Sequence, residues 1–136
     1  MNEFPQPKFD VTEEDVDENT RILDASGEIH VSTAPRFSER LNAAIADGKT
    51  ALVLDFSHVE FIDSTGLSVL LNGLRRLTRR KGSLVLICTN PTVLRLFEIT
   101  RLDTTFDIRA TREEAVQAVR GPGANGVADG SSGGAP

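Results

Sequence analysis

The chain has no tryptophan, no tyrosine, a single cysteine and only two histidines. The lone Cys88 leaves no internal disulfide to form and no cysteine cluster for a metal. His30 and His58, widely separated and without an acidic pair in register, make a weak ligand set, so neither metal nor cofactor is expected. There is no Gly-x-x-x-x-Gly-Lys-Ser/Thr loop, which excludes a P-loop nucleotidase. A nucleophile elbow of the Gly-x-Ser-x-Gly type is also missing, since Ser64 stands between Asp63 and Thr65. His30 and His58 are the only candidate bases, and each reads better as a surface histidine. No apolar run approaches the roughly 20 residues needed to cross a bilayer. The opening Met-Asn-Glu-Phe-Pro lacks the basic and apolar regions of a signal peptide. Together these absences describe a cytoplasmic protein that is not an enzyme.

The composition that is present suits one domain: 136 residues, 39% of them hydrophobic, with seven phenylalanines to anchor an otherwise aliphatic core. The formal net charge of −5 hides an asymmetry. Residues 1–28 carry nine acids against Lys8 and Arg21, whereas Arg75, Arg76, Arg79, Arg80 and Lys81 form a basic run without an acid. That run falls where cations complement a helix C-terminus. The acidic excess elsewhere and the lack of interleaved aromatics argue against nucleic-acid binding.

Hydropathy patterning predicts strands at Phe9–Glu13 and about Arg21–Ala25, joined by a polar hairpin near Asp15–Asn19. The stretch from Ser26 to Pro35 reads as a loop, with Ser32 or Thr33 capping a helix that has Pro35 in its first turn. Phe37, Leu41, Ala44 and Ile45 mark one face of that helix, and Gly48 stops it. Thr50–Phe56 lacks polar alternation until Asp55 and fits a strand covered on both faces. Leu67, Leu70, Leu71, Leu74 and Leu77 stripe a second helix, ended by Lys81-Gly82. Leu84–Cys88 is another buried strand, and Asn90-Pro91 opens a short helix. Phe106–Ile108 reads as an edge strand, and Thr111–Glu114 fits a capping box before a final helix with Ala115, Val116 and Val119 inward. Strand and helix alternation predicts an α/β fold: a mixed, mostly parallel sheet of about four or five strands with an N-terminal antiparallel hairpin and about four helices. The domain is expected over residues 8–120. Residues 1–7 are expected to be a flexible N-terminus, and the glycine-rich residues 121–136 a disordered tail.

Two segments follow strands and open helices, Ser26–Pro35 and Asp63–Leu67. In a parallel sheet the carboxyl ends of the strands share one edge, so the two lie side by side there. They offer backbone amides, hydroxyls and Glu28, which describes a docking face better than a cleft. Within Phe61-Ile62-Asp63-Ser64-Thr65-Gly66-Leu67, either Asp63 or Ser64 can cap the first turn of the helix. The same amides and dipole also welcome a phosphate on Ser64 or Thr65. From these residues alone the cap is the favoured reading, because nearly every helix needs one.

The pairing of Gly27-Glu28-Ile29-x-x-x-Thr33-Ala34-Pro35 with Val59-x-Phe61-Ile62-Asp63-Ser64-Thr65-Gly66-Leu67 closely resembles STAS-domain anti-sigma factor antagonists. Gly82-Ser83-Leu84 and Leu94-x-Leu96-Phe97-x-Ile99-Thr100-x-Leu102 look like that family as well. The resemblance covers about residues 8–120. It implies partner-switching control of transcription, as in stress responses: the unphosphorylated protein binds an ATP-binding serine-kinase anti-sigma factor and frees a sigma factor. It also implies that the kinase phosphorylates Ser64 and so releases the antagonist, and that a serine phosphatase resets it. The implied partner-binding residues are Gly27, Glu28, His30, Thr33, Ala34, Pro35, Asp63, Ser64, Thr65, Gly66 and Leu67, in a monomer that forms heteromers without touching membrane or nucleic acid. The alternative within the same fold is a non-phosphorylated scaffold or accessory subunit of a larger complex. One departure stands out: family members commonly carry Asp directly after Gly-Glu-Ile or Gly-Glu-Leu, where this chain has His30.

Overall fold

Residues 8–125 are described by a computed structural model of the chain. Strand β1 (Phe9–Asp15) and strand β2 (Thr20–Ile29) form an antiparallel hairpin, paired from Phe9↔Gly27 to Asp15↔Arg21. Its turn is held by the Asp17 carboxylate, which accepts the amides of Asn19 and Thr20 at 2.9 and 2.8 Å. Strand β3 (Ala51–Ile62), strand β4 (Ser83–Ile87) and strand β5 (Asp107–Arg109) continue the sheet in parallel, in the order β1-β2-β3-β4-β5. The connections are helix α1 (Ala34–Ala46), helix α2 (Ser64–Arg79), and helix α3 (Pro91–Ile99) with a short 3-10 turn. Helix α4 (Arg112–Asn125) follows β5.

Two-residue alternation in the central strands divides the core. Leu52, Leu54, Leu84 and Leu86 join Phe37, Leu41, Leu70, Leu77 and Phe97 of α1, α2 and α3 in the larger cluster. Ala51, Val53, Val85 and Ile87 point the other way, against Ala115 and Val119 of α4. A strand buried on both faces must be apolar at consecutive positions, which is why β3 and β4 read as continuous hydrophobic runs.

Several boundaries differ from the sequence expectation. Strand β3 runs six residues beyond Phe56, and Ser26–Ile29, expected in a loop, belongs to β2. These two extensions pair with each other, Ser26↔His58 through Ile29↔Ile62, but with register shifts at Asp24/Ser26 and Gly27/Glu28. Each shift breaks the period-two pattern from which a strand is read. Helix α2 begins at Ser64, within the range that a cap at Asp63 or Ser64 implies. Strand β5 is displaced by one residue, because Phe106 leaves the sheet to pack its ring on Phe97 at 5.9 Å. Helix α4 carries on to Asn125, past the expected domain end at Arg120. The expected flexible residues 1–7 and the rest of the tail lie outside the described residues.

Candidate functional site

The carboxyl ends of β2 and β3 are adjacent, and everything expected at the site is built on them. Glu28 is opposite Phe61 and Ile29 is opposite Ile62. One residue on, the Asp63 amide donates to the Ile29 carbonyl at 3.1 Å, so the chain leaving β3 is still tied to β2 where α2 begins.

Asp63, not Ser64, is the N-cap of α2. Its Oδ1 accepts the amides of Thr65 and Gly66 at 2.9 and 3.1 Å, satisfying two of the free donors of the first turn. Ser64 is therefore the first helical residue. It is exposed, and its carbonyl accepts the Ser68 hydroxyl at 3.0 Å. The hydroxyl of Ser64 thus stands free at the positive end of a 16-residue helix. Gly66 lies beneath it: a Cβ there would come within 2.6 Å of Ile62 Cγ1 and 2.8 Å of Ile29 Cγ2. The helix rests directly on the ends of both strands, and any larger residue would have to push those side chains aside.

The second loop is shaped by Thr33. The sequence offered Ser32 or Thr33 as a helix cap, and Thr33 does hold the cap position of α1, but its side chain makes no capping bond. Its hydroxyl instead donates to the Glu28 carbonyl at 2.7 Å and accepts the His30 amide at 3.0 Å, closing the turn from within. His30 is not a free loop residue. Its Nδ1 accepts the Ser32 amide at 3.2 Å, and its Nε2 sits 3.3 Å from Glu28 Oε1. Gly27 has φ of +93°, and a Cβ there would strike the Lys8 carbonyl oxygen at 2.1 Å, the same carbonyl that accepts the Glu28 amide at 2.7 Å.

Of the expected site residues, Thr33, Ala34, Gly66 and Leu67 are buried and shape the face from inside. Gly27, Glu28, His30, Asp63 and Thr65 are half-buried, while Pro35 and Ser64 are exposed. Two residues absent from the expected set belong to this edge: Phe61 is 45% and Val31 69% exposed. The Phe61 ring lies 6.4 Å from that of His30. The signal of Phe61 and Val31 in the sequence was hidden, because an aromatic between two strand-like residues reads as core.

Among the described residues neither histidine is placed beside the Ser64 hydroxyl as a hydrogen-bond partner. The hydrogen bonds of His30 go to its own loop, and His58 is an exposed residue of β3 opposite Ser26. Burial at the end of β4 pushes the Cys88 thiol up, so it stays protonated within the core. Among the described residues no group of three His, Cys, Asp or Glu stands together to hold a metal, and no helix is long and apolar enough to cross a membrane. The edge presents a hydroxyl, backbone amides, the Glu28 and Asp63 carboxylates and two exposed apolar side chains.

Comparison with known proteins gives a consistent picture. The family model described as STAS domain matches residues 12–115. An anti-sigma-B factor antagonist of Listeria monocytogenes is 35% identical over 89 residues, 65% of this chain and 78% of the relative. An anti-sigma factor antagonist from Mycobacterium paratuberculosis superposes with a TM-score of 0.76 at 34% identity, covering 83% of this chain and 95% of that one. SpoIIAA, a Bacillus cell fate determinant solved in its phosphorylated form, superposes with a TM-score of 0.65 at 26% identity, covering 82% of this chain and 100% of that one.

Proposed function

The chain belongs to the STAS domain family, among its anti-sigma factor antagonists, and from that premise we propose that it is a partner switch controlled at Ser64. Unphosphorylated, it binds a serine-kinase anti-sigma factor through the β2–α1 and β3–α2 edge and frees a sigma factor. The kinase transfers phosphate from ATP to Ser64, which ends the association, and a serine phosphatase restores it. The observation that carries this reading is the position of Ser64, exposed as the first residue of α2 while Asp63 already does the capping. The hydroxyl is not needed by the fold, so modifying it leaves the fold standing. Phosphorylation adds about −1.5 to −2 charge, next to the Asp63 carboxylate and within a face that also presents Phe61 and Val31. A docking surface that already carries the Glu28 and Asp63 carboxylates beside apolar side chains becomes strongly anionic, and the switch acts on the interface.

The test is phosphotransfer. Full-length protein is incubated with ATP and each candidate serine kinase of the source organism, and the product is mapped by mass spectrometry. Phosphate on Ser64 supports the assignment; phosphate mainly on Thr65 or elsewhere overturns it. A chain that binds its partner equally well in phosphorylated and unphosphorylated form is instead a constitutive scaffold subunit.

A further inference from the structure

The basic run at the end of α2 lies on the same face of the helix as Ser64. At about 100° per residue, Ser64, Ser68, Asn72, Arg75, Arg76 and Arg79 fall within roughly 120° of one another. This stripe is solvent-facing, with only Arg76 partly covered. Beside it, α1 supplies the second wall of a groove of about 350 Å³, lined by Ser38 and Asn42 opposite the three arginines. Arg76 donates to Asn42 Oδ1, and Asn42 Nδ2 donates to the Ser38 hydroxyl at 3.2 Å, so the walls are joined before anything binds. Arg80 is used internally, donating to the Ile45 carbonyl at 2.8 Å. Arg75 and Arg79 make no ion pair among the described residues, whereas Arg21, Arg40, Arg109, Arg112 and Arg120 each do. No Asp or Glu occurs anywhere from Ser64 to Phe97. In a chain of net charge −5, three guanidiniums in a groove that no carboxylate lines attract an external anion.

We propose that the α1–α2 groove is a second docking point for the kinase that modifies Ser64, and that it receives a carboxylate-bearing segment of that kinase. This rests on the partner-switch reading given above. Reach is the first reason. Arg75 and Arg79 lie eleven and fifteen residues beyond Ser64, about 17 and 23 Å along the helix at 1.5 Å per residue. A standard interface of about 800 Å² per partner is roughly 30 Å across, so one bound protein covers both ends of the stripe. Charge is the second reason. Asp63 and, after transfer, the phosphate at one end repel an acidic partner surface, whereas the arginines at the other end attract it. The partner is therefore oriented along α2, with its acidic segment away from the acceptor serine. The stripe contains no aromatic residue on which bases could stack, which disfavours a nucleic acid as occupant.

The experiment measures steady-state phosphorylation of the full chain by the purified ATP-dependent serine kinase that labels Ser64. The native protein is compared with Arg75→Ala/Arg79→Ala and with Arg75→Lys/Arg79→Lys. Both substituted positions are exposed, and thermal melts verify that the variants fold. In the alanine pair, KM for the protein substrate rises roughly tenfold while kcat stays within about twofold. The lysine pair, which keeps the charge, recovers most of the difference. Added poly-glutamate raises KM of the native protein and leaves that of the alanine pair unchanged. An unaltered KM in the folded alanine pair, with native Ser64 still labelled, overturns the groove as a docking point. Failure of any kinase to label native Ser64 overturns the partner-switch reading and this inference with it, and the two failures are told apart by the native control alone.

Discussion

The Asp63 amide donates to the Ile29 carbonyl at 3.1 Å, joining the two loops of the functional edge by their backbones. The bond fixes the start of α2 against the end of β2. A partner touching the His30 loop and one touching Ser64 thus meet a single rigid surface. The same junction explains the glycine three residues later, since the first turn of α2 packs directly onto Ile29 and Ile62.

That packing makes the two site glycines testable. Gly66→Ala introduces a methyl within 2.8 Å of two isoleucine side chains, which can shift, and it costs about 2 kcal/mol. Gly27→Ala meets a backbone carbonyl at 2.1 Å and requires φ of +93°, neither of which a side-chain movement relieves. Urea unfolding at neutral pH should rank native protein, Gly66→Ala and Gly27→Ala in falling order. A Gly66→Ala midpoint equal to the native one contradicts the close seating of α2.

A second prediction concerns acid. Asp55 is buried in β3; burial alone raises its carboxyl, but the Ser57 hydroxyl at 2.6 Å and amide at 3.0 Å, with Arg112 at 3.1 Å, outweigh it and hold it below its ordinary range. Arg112 also reaches Glu14 and Asp24, clamping α4 to β1, β2 and β3. A group with a lowered folded-state pKa stabilises the fold above its unfolded value of about 3.9 and loses that contribution as pH falls through the folded value. Asp55→Asn should therefore cost about 2 kcal/mol at pH 7. Its stability should then decline less steeply than the native protein's below roughly pH 4. Parallel acid limbs for the two proteins contradict this account of Asp55.

His30 gives the third. The family resemblance carries Asp at this position, but here Nε2 of His30 approaches Glu28 Oε1 at 3.3 Å. His30→Asp replaces that contact with a second carboxylate near Glu28, which costs on the order of 1 kcal/mol at low salt and less as salt screens it. Melting His30→Asp and native protein at low and high ionic strength checks this. A difference that does not shrink with salt shows that the contact is not electrostatic.

The legible parts of the fold were those with uniform patterns. The leucine stripe of α2 and the apolar runs of β3 and β4 show their periods without interruption. The capping pattern before α4 also showed, with the Glu114 amide on the Thr111 hydroxyl, although the Glu114 carboxylate returns to the amide of Ala110 rather than of Thr111. The β2–β3 extension was obscured because its bulges displace the alternation. Asp63 and Ser64 are both good caps by residue type, and the fold uses Asp63, which leaves Ser64 out of the capping bonds. Phe61 and Val31 were hidden for the opposite reason: their residue types suggest burial, and only the fold shows that they face outward. Thr33 has a cap's residue type at a cap's position, yet its hydroxyl is spent on the turn before it.

The central claim is that phosphate on Ser64 ends binding without unfolding the domain. The direct measurement is the affinity of the cognate anti-sigma kinase for native protein, Ser64→Ala, Ser64→Asp and Ser64-phosphorylated protein, with a thermal melt of each. The account predicts that native and Ser64→Ala bind alike, that Ser64→Asp binds at least tenfold more weakly, a loss of about 1.4 kcal/mol, and that the phosphorylated form binds weakest, while all four melt within a few degrees of one another. Equal affinity of the native and phosphorylated proteins, or a phosphorylated form that has lost its folded structure, contradicts it.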